Sequence, residues 1–225
     1  LFLGYKSYEI KEPYGVCFII APWNYPMLLT MSPLIGAIST GNCAIIKPSE
    51  YDVNSSNIIK KIIDETFKEK YCQVVLGGAD IVENIIDNDV DFIFFTGSTN
   101  IGRIVMKKAS EHLTPIALEL GGKSPCIVDK AVDLDKTAKR IAWGKTLNAG
   151  QTCIAPDYLL VDIRVRDKLI EKIIFHTEQI WGQDILNNKN YPKIINEKNF
   201  NRALGLLDNV DILYGGNYNR HNLKI

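Results

Sequence analysis

Asp91-Phe92-Ile93-Phe94-Phe95-Thr96-Gly97-Ser98-Thr99-Asn100-Ile101-Gly102 decides the fold class. An apolar, aromatic run from Asp91 to Phe95 reads as a strand. A Gly-Ser-Thr turn follows, and helical spacing then runs from about Ile101 to Ser110. Strand, tight turn and helix make the repeating unit of a parallel sheet. Backbone N–H groups at such a helix start point at whatever lies there, which is how a phosphate is held. The spacing is not G-x-G-x-x-G, so the glycines alone carry little weight.

The same alternation extends outward. Gly15–Ala21, Cys43–Lys47, Gln73–Leu76 and Pro115–Leu120 read as further strands, each a short continuous apolar run. Pro26–Ser39 reads as a helix despite Pro33, whose missing N–H predicts a kink. In Asn54–Lys70, Ile58, Ile59, Ile62, Ile63 and Phe67 fall at helical spacing and charged residues fill the other face. Continuous rather than alternating strands predict a parallel sheet covered on both faces. The pattern restarts after Gly121-Gly122: Ser124–Val128 and Tyr158–Val161 read as strands, Leu134–Leu147 and Arg166–Ile180 as helices. The expected class is therefore α/β, with a second α/β unit from about residue 121.

The chain has 225 residues, 46% hydrophobic and 23% charged, with equal numbers of acidic and basic side chains. That is ordinary globular composition, and zero net charge excludes a nucleic-acid partner recruited by bulk charge. No apolar run is long enough to cross a bilayer and no secretory signal opens the chain. The five cysteines, Cys17, Cys43, Cys72, Cys126 and Cys153, are scattered without a C-x-x-C pair. This argues against a disulfide framework or zinc cluster and for a reducing, cytoplasmic setting. The chain opens on Leu1 and closes on what reads as the first residues of a strand, so both ends look cut.

Five clusters carry chemical potential. Pro22-Trp23-Asn24 follows the first strand, and flanking prolines can hold the Asn24 amide rigidly toward an oxyanion. Lys47-Pro48-Ser49-Glu50 follows the second strand, where an ammonium and a carboxylate can grip ribose hydroxyls. Thr96-Gly97-Ser98 is the anion-binding turn. Glu119-Leu120-Gly121-Gly122-Lys123-Ser124-Pro125 puts a carboxylate between two leucines, a costly place to bury one unless it is used. Asn148-Ala149-Gly150-Gln151-Thr152-Cys153 sets a thiol among small and polar residues, a place built for access. Solvated loops and packing residues are the plain alternatives at each. The other four cysteines read as strand packing, Trp143 and Trp181 as core, and His112, His176 and His221 as surface.

Together the five clusters, in this order and spacing, resemble the aldehyde dehydrogenase superfamily. Ala142-Trp143-Gly144-Lys145 and Cys153-Ile154-Ala155-Pro156-Asp157-Tyr158 resemble its class 3 branch, which takes fatty and aromatic aldehydes. The resemblance implies a Rossmann-like NAD-binding domain over residues 13–120 and the first part of a catalytic domain over 121–225. Residues 1–12 would be a piece of a linker or oligomerisation segment. It implies Cys153 as nucleophile, Asn24 and the Cys153 N–H as oxyanion donors, and Glu119 as the base that activates water. It implies NAD, with NADP possible as the alternative, bound through Trp23, Lys47, Glu50, Gly97, Ser98 and Leu120, and no metal. A small-molecule aldehyde would be the substrate and a homodimer the full-length state, with membrane attachment only through a tail beyond residue 225. Three alternatives remain: a truncated chain that only binds nucleotide or a partner chain; a Cys153 hydrolase, which would need a histidine positioned by a third group and leaves Lys47, Glu50 and the Gly97 turn unexplained; and transfer of the acyl group to coenzyme A, which Glu119 disfavours.

Overall fold

The computed structural model describes residue 4 and residues 6–225. Part of the expected 1–12 segment, residues 1–3 and 5, lies outside the described residues. The chain divides into two compact units, Leu1–Leu120 and Gly121–Ile225.

The first unit alternates β1 Val16–Ile20, α1 Pro26–Ser39, β2 Cys43–Lys47, α2 Val53–Thr66, β3 Cys72–Val74, α3 Ala79–Asp87, β4 Phe92–Thr96, α4 Thr99–Glu111 and β5 Ile116–Glu119. All strand pairs are parallel, in the order β3-β2-β1-β4-β5. The connections reverse direction between β1 and β4, which is where a doubly wound sheet opens a ligand crevice at its carboxyl edge. Register fixes that edge: Ile20 pairs with Lys47 on one side and Phe95 on the other, and Thr96 with Glu119. The residues that follow β1, β2, β4 and β5 therefore emerge along one rim.

Side-chain alternation along β1 feeds two cores. Cys17 and Ile19 pack under α1 and α2 with Ile46, Ile59, Ile63 and Cys72. Phe18 and Ile20 pack under α3 and α4 with Ile86, Ile93, Phe95 and Val105. Each fully buried side chain of this size contributes roughly 1.5–3 kcal/mol. β1 is buried on both faces as the continuous apolar run predicts, whereas in β4 only Ile93 and Phe95 are buried and Phe92 and Phe94 are half-buried.

The second unit is smaller. β6 Ser124–Val128 and β7 Pro156–Val161 form a parallel pair, and α5 Leu134–Thr146 packs on α6 Arg166–Trp181. Its core is Val128, Ala138, Ile141 and Leu169 with Cys126, Leu134, Val161 and Ile173 around it. The register slips between Ser124 and Pro125, where a proline without an N–H suits a bulge. Helix α7 spans Glu197–Leu204, and an isolated antiparallel bridge joins Asn219 to Lys224.

The structure departs from the sequence pattern at several points. Helix α2 stops at Thr66, because Phe67 turns extended and packs into the core. Helices α3 and α7 are additions to the expected elements. Trp143 is 58% exposed rather than core. His176 is buried rather than at the surface, with Nε2 3.1 Å from Asp135 Oδ1. Among the described residues, no helix is long and apolar enough to cross a membrane.

Candidate active site

The rim of the first unit collects four of the five clusters. Lys47 ends β2 and is only 4% exposed, and its ammonium is paired with Glu50. A buried ammonium persists because it is paired. Burial pushes the Glu50 carboxyl up, but the hydrogen bond and charge of Lys47, with a backbone N–H, outweigh that and hold it below its ordinary value. The intervening loop is anchored: Ser49 is buried and the Ser56 hydroxyl donates to its carbonyl at 2.8 Å. The Lys47 carbonyl accepts from Ala21 N–H at 3.0 Å, fixing this corner to the end of β1. Trp23 and Asn24 come next and are half-buried, just before α1 opens at Pro26.

After β4, the Ser98 hydroxyl accepts from Ile101 N–H at 3.4 Å and caps α4. The Gly97 N–H is spent on the Glu119 carbonyl at 2.9 Å, so Gly97 serves through its missing side chain. A Cβ there would lie 2.6 Å from Phe95 Cζ. A Cβ at Gly102 would lie 2.7 Å from Leu120 Cδ2, so Leu120 packs against the first turn of α4, among the core residues. Gly97→Ala should cost ~1–3 kcal/mol by overpacking, seen as a lower Tm, and should weaken nucleotide binding in a titration; an unchanged Tm would contradict this packing.

Glu119 ends β5 and is exposed. No desolvation has to be offset there, so the sequence argument from costly burial does not apply. Its candidacy rests on its place on the rim.

In the second unit the chain leaves α5 through a left-handed turn. Asn148 (φ 51°), Ala149 (φ 53°) and Gly150 (φ 74°) are successive positive-φ residues. Such conformations cost about 1–3 kcal/mol for each non-glycine and persist only where the surroundings over-determine them. They bring out Gln151-Thr152-Cys153. Of the five cysteines only Cys153 is exposed. A Cβ at Gly122 would lie 2.9 Å from the Cys153 carbonyl oxygen, so that glycine lets the thiol-bearing backbone approach β6. Sequence reasoning assigns no role to Gln151 or Gly122. The bonds of Gln151 to Lys193 and Ile195 and the approach of Gly122 to Cys153 are long-range in sequence and leave no local signal.

The residues fit a nucleotide. A charged pair sits on a buried loop, and a capped helix start with no room for a β-carbon lies on the same sheet edge. Groups of this kind along one sheet edge can hold a ribose and a pyrophosphate. No described group of ligand-bearing side chains lies on this rim; the one such group, Asp87, Glu111 and His112, is an exposed surface cluster.

The model of the aldehyde dehydrogenase family matches residues 3–223. This chain belongs to the aldehyde dehydrogenase family. Among curated relatives, it is 47% identical over 213 residues to the 4,4'-diaponeurosporen-aldehyde dehydrogenase of Staphylococcus aureus, covering 94% of this chain and 46% of that protein. It is 42% identical over 211 residues to the dimeric NADP-preferring aldehyde dehydrogenase of Canis lupus familiaris, covering 94% and 47%. Among solved structures, Staphylococcus aureus AldH in a substrate-bound state superposes with a TM-score of 0.89 at 45% identity, covering 95% of this chain and 47% of that one. The chain thus spans about half the length of the aldehyde dehydrogenases it matches.

Proposed function

We propose that the protein carrying this chain oxidises an aldehyde to the carboxylic acid with NAD or NADP, using Cys153 as nucleophile. The observation that carries the reading is that one thiol of five is exposed, and it stands on a strained loop in a member of this family. The Cys153 thiolate attacks the carbonyl carbon, and the alkoxide that forms accepts from the Cys153 N–H and the Asn24 amide. The dinucleotide supplies the hydride acceptor. Trp23, Lys47, Glu50, Gly97, Ser98 and Leu120 form its side of the site in residues 13–120, and residues 121–225 carry the nucleophile. Glu119 takes a proton from the water that hydrolyses the resulting Cys153 thioester, releasing the acid and restoring the thiol.

Ile154, 78% exposed beside the nucleophile, supports an apolar substrate, fatty or aromatic. The protein should act as a homodimer; the name of the dog relative calls that enzyme dimeric. The test is NADH production from a medium-chain or aromatic aldehyde by the whole protein; no turnover with any such aldehyde would sink the reading.

Cofactor discrimination should be weak and favour NAD. Glu50 can accept from a ribose 2′-hydroxyl and repels a 2′-phosphate, but its charge is already matched by Lys47, which can turn to that phosphate instead. The kcat/KM ratio for NAD over NADP is therefore expected above one but below ~10², a gap of under about 3 kcal/mol. A ratio below one would show that Glu50 points away from the ribose.

A further inference from the structure

The nucleophile's loop carries strain that something must hold, and the candidate is the side chain two residues before Cys153. Gln151 Nε2 donates to the Asn148 carbonyl at 3.0 Å and to the Lys193 carbonyl at 3.1 Å. Gln151 Oε1 accepts from Ile195 N–H at 3.0 Å. The amide therefore spans the left-handed turn on one side and, on the other, grips a backbone segment 42 to 44 residues away.

That segment is itself fixed. Ile194 is buried and its N–H donates to the Leu223 carbonyl at 2.8 Å. Tyr191 is buried, and its ring meets Trp181 edge-on with centroids 5.1 Å apart. Trp181 Nε1 in turn donates to Thr146 Oγ1 at 2.7 Å. Thr146 is the last residue of α5 before the turn. The loop is thus tied at both ends, through Thr146 and Gln151, to the segment 181–195, anchored by the buried Tyr191 and Ile194. A glutamine suits this position because its amide offers donor and acceptor together. Glutamate would keep the bond from Ile195 but set an oxygen against two carbonyls, and alanine would lose these three bonds.

We infer that Gln151 is a positioning residue that clamps the strained 148–150 turn to the 193–195 backbone and so fixes where Cys153 presents its thiol. The inference rests on the reading of Cys153 as nucleophile. In this reading Gln151 acts through the loop rather than on the reacting atoms.

The test uses the whole protein with Gln151→Ala and Gln151→Glu. Amide hydrogen exchange at Ile195 and across 148–153 should accelerate at least ~5-fold in both regions for the alanine variant, while β6, β7 and α5 stay as in wild type, since one lost hydrogen bond frees a local opening. In the glutamate variant Ile195 should stay protected while 148–153 accelerates. Alkylation of Cys153 by iodoacetamide should remain within about threefold of wild type, because the thiol is already exposed. Steady-state kcat should fall at least ~100-fold in both variants with the cofactor KM little changed, since a displaced nucleophile costs rate rather than binding. Wild-type exchange at 148–153 in both variants, or kcat within twofold of wild type, would overturn the proposal. So would acceleration spread over the whole second unit, which marks a merely structural side chain. Cys153→Ser serves as the control: if that variant still turned over, the nucleophile reading would fail and the catalytic role of Gln151 with it, whereas wild-type exchange with an inactive Cys153→Ser would refute the clamp alone.

Discussion

Cys153→Ser is expected to abolish turnover, by at least ~10³-fold, while the same change at any other cysteine leaves activity within a few-fold. Reactivity follows thiolate character and access, and the five thiols differ sharply in access. Burial pushes the Cys72 thiol up to about 11, with the neighbouring Cys43 adding to the shift. Burial also raises Cys17, helped by the charge of Asp91 and by Cys43. These two are nearly closed to solvent and pack in the core of the first sheet. Cys126 is half-buried beside the small core of the second unit. Cys153 alone is exposed. One equivalent of iodoacetamide should therefore label Cys153 and remove activity in proportion. Peptide mapping that found the label chiefly on another cysteine, with activity lost, would sink the assignment.

Much of the fold is legible in the chain because its signals are local. The continuous run Phe92–Phe95 meeting Gly97-Ser98 marks a βα unit, and β1, β2, β4 and α1 lie within a residue or two of where the pattern puts them. What stays hidden is set at a distance. Helix α3 carries Ile81, Val82, Ile85 and Ile86 at helical spacing, but it follows Gly77-Gly78 and is only 9 residues long, so its turn residues mask its period. Trp143 and His176 show the limit of reading a face from one helix. In the α5–α6 packing, the small Ala138 and Ala142 take the interior of α5 and leave the large indole outside. A histidine on α6 is then buried, held by the carboxylate of Asp135. At the site, the motif around Cys153 names the thiol, yet the left-handed turn and the grip of Gln151 on residues 193–195 depend on partners more than 40 positions away.

Glu119→Gln is expected to separate the two halves of the reaction. In the proposed cycle, attack by Cys153 and loss of hydride precede any need for a base, whereas hydrolysis of the thioester requires water to lose a proton. In that cycle the task falls to Glu119, which ends β5, pairs with Thr96 and has its carbonyl held by Gly97 N–H at 2.9 Å, so the backbone beneath the carboxylate is fixed to the sheet. Its side chain is exposed, open to water rather than sealed in apolar surroundings. The amide variant keeps size and hydrogen-bonding reach but cannot take a proton. Mixing it with saturating aldehyde and NAD should give a burst of NADH of about one per site, followed by a steady rate lower by ~10²–10⁴-fold, the usual worth of a positioned general base. Added hydroxylamine, a nucleophile that needs no base, should release the stalled acyl group and restore part of the steady rate. Mass spectrometry of the stalled protein should find the acyl mass on Cys153. Steady turnover at the wild-type rate would assign the base to another residue. A variant with neither burst nor turnover would place Glu119 in the first step instead, as the group that deprotonates the thiol.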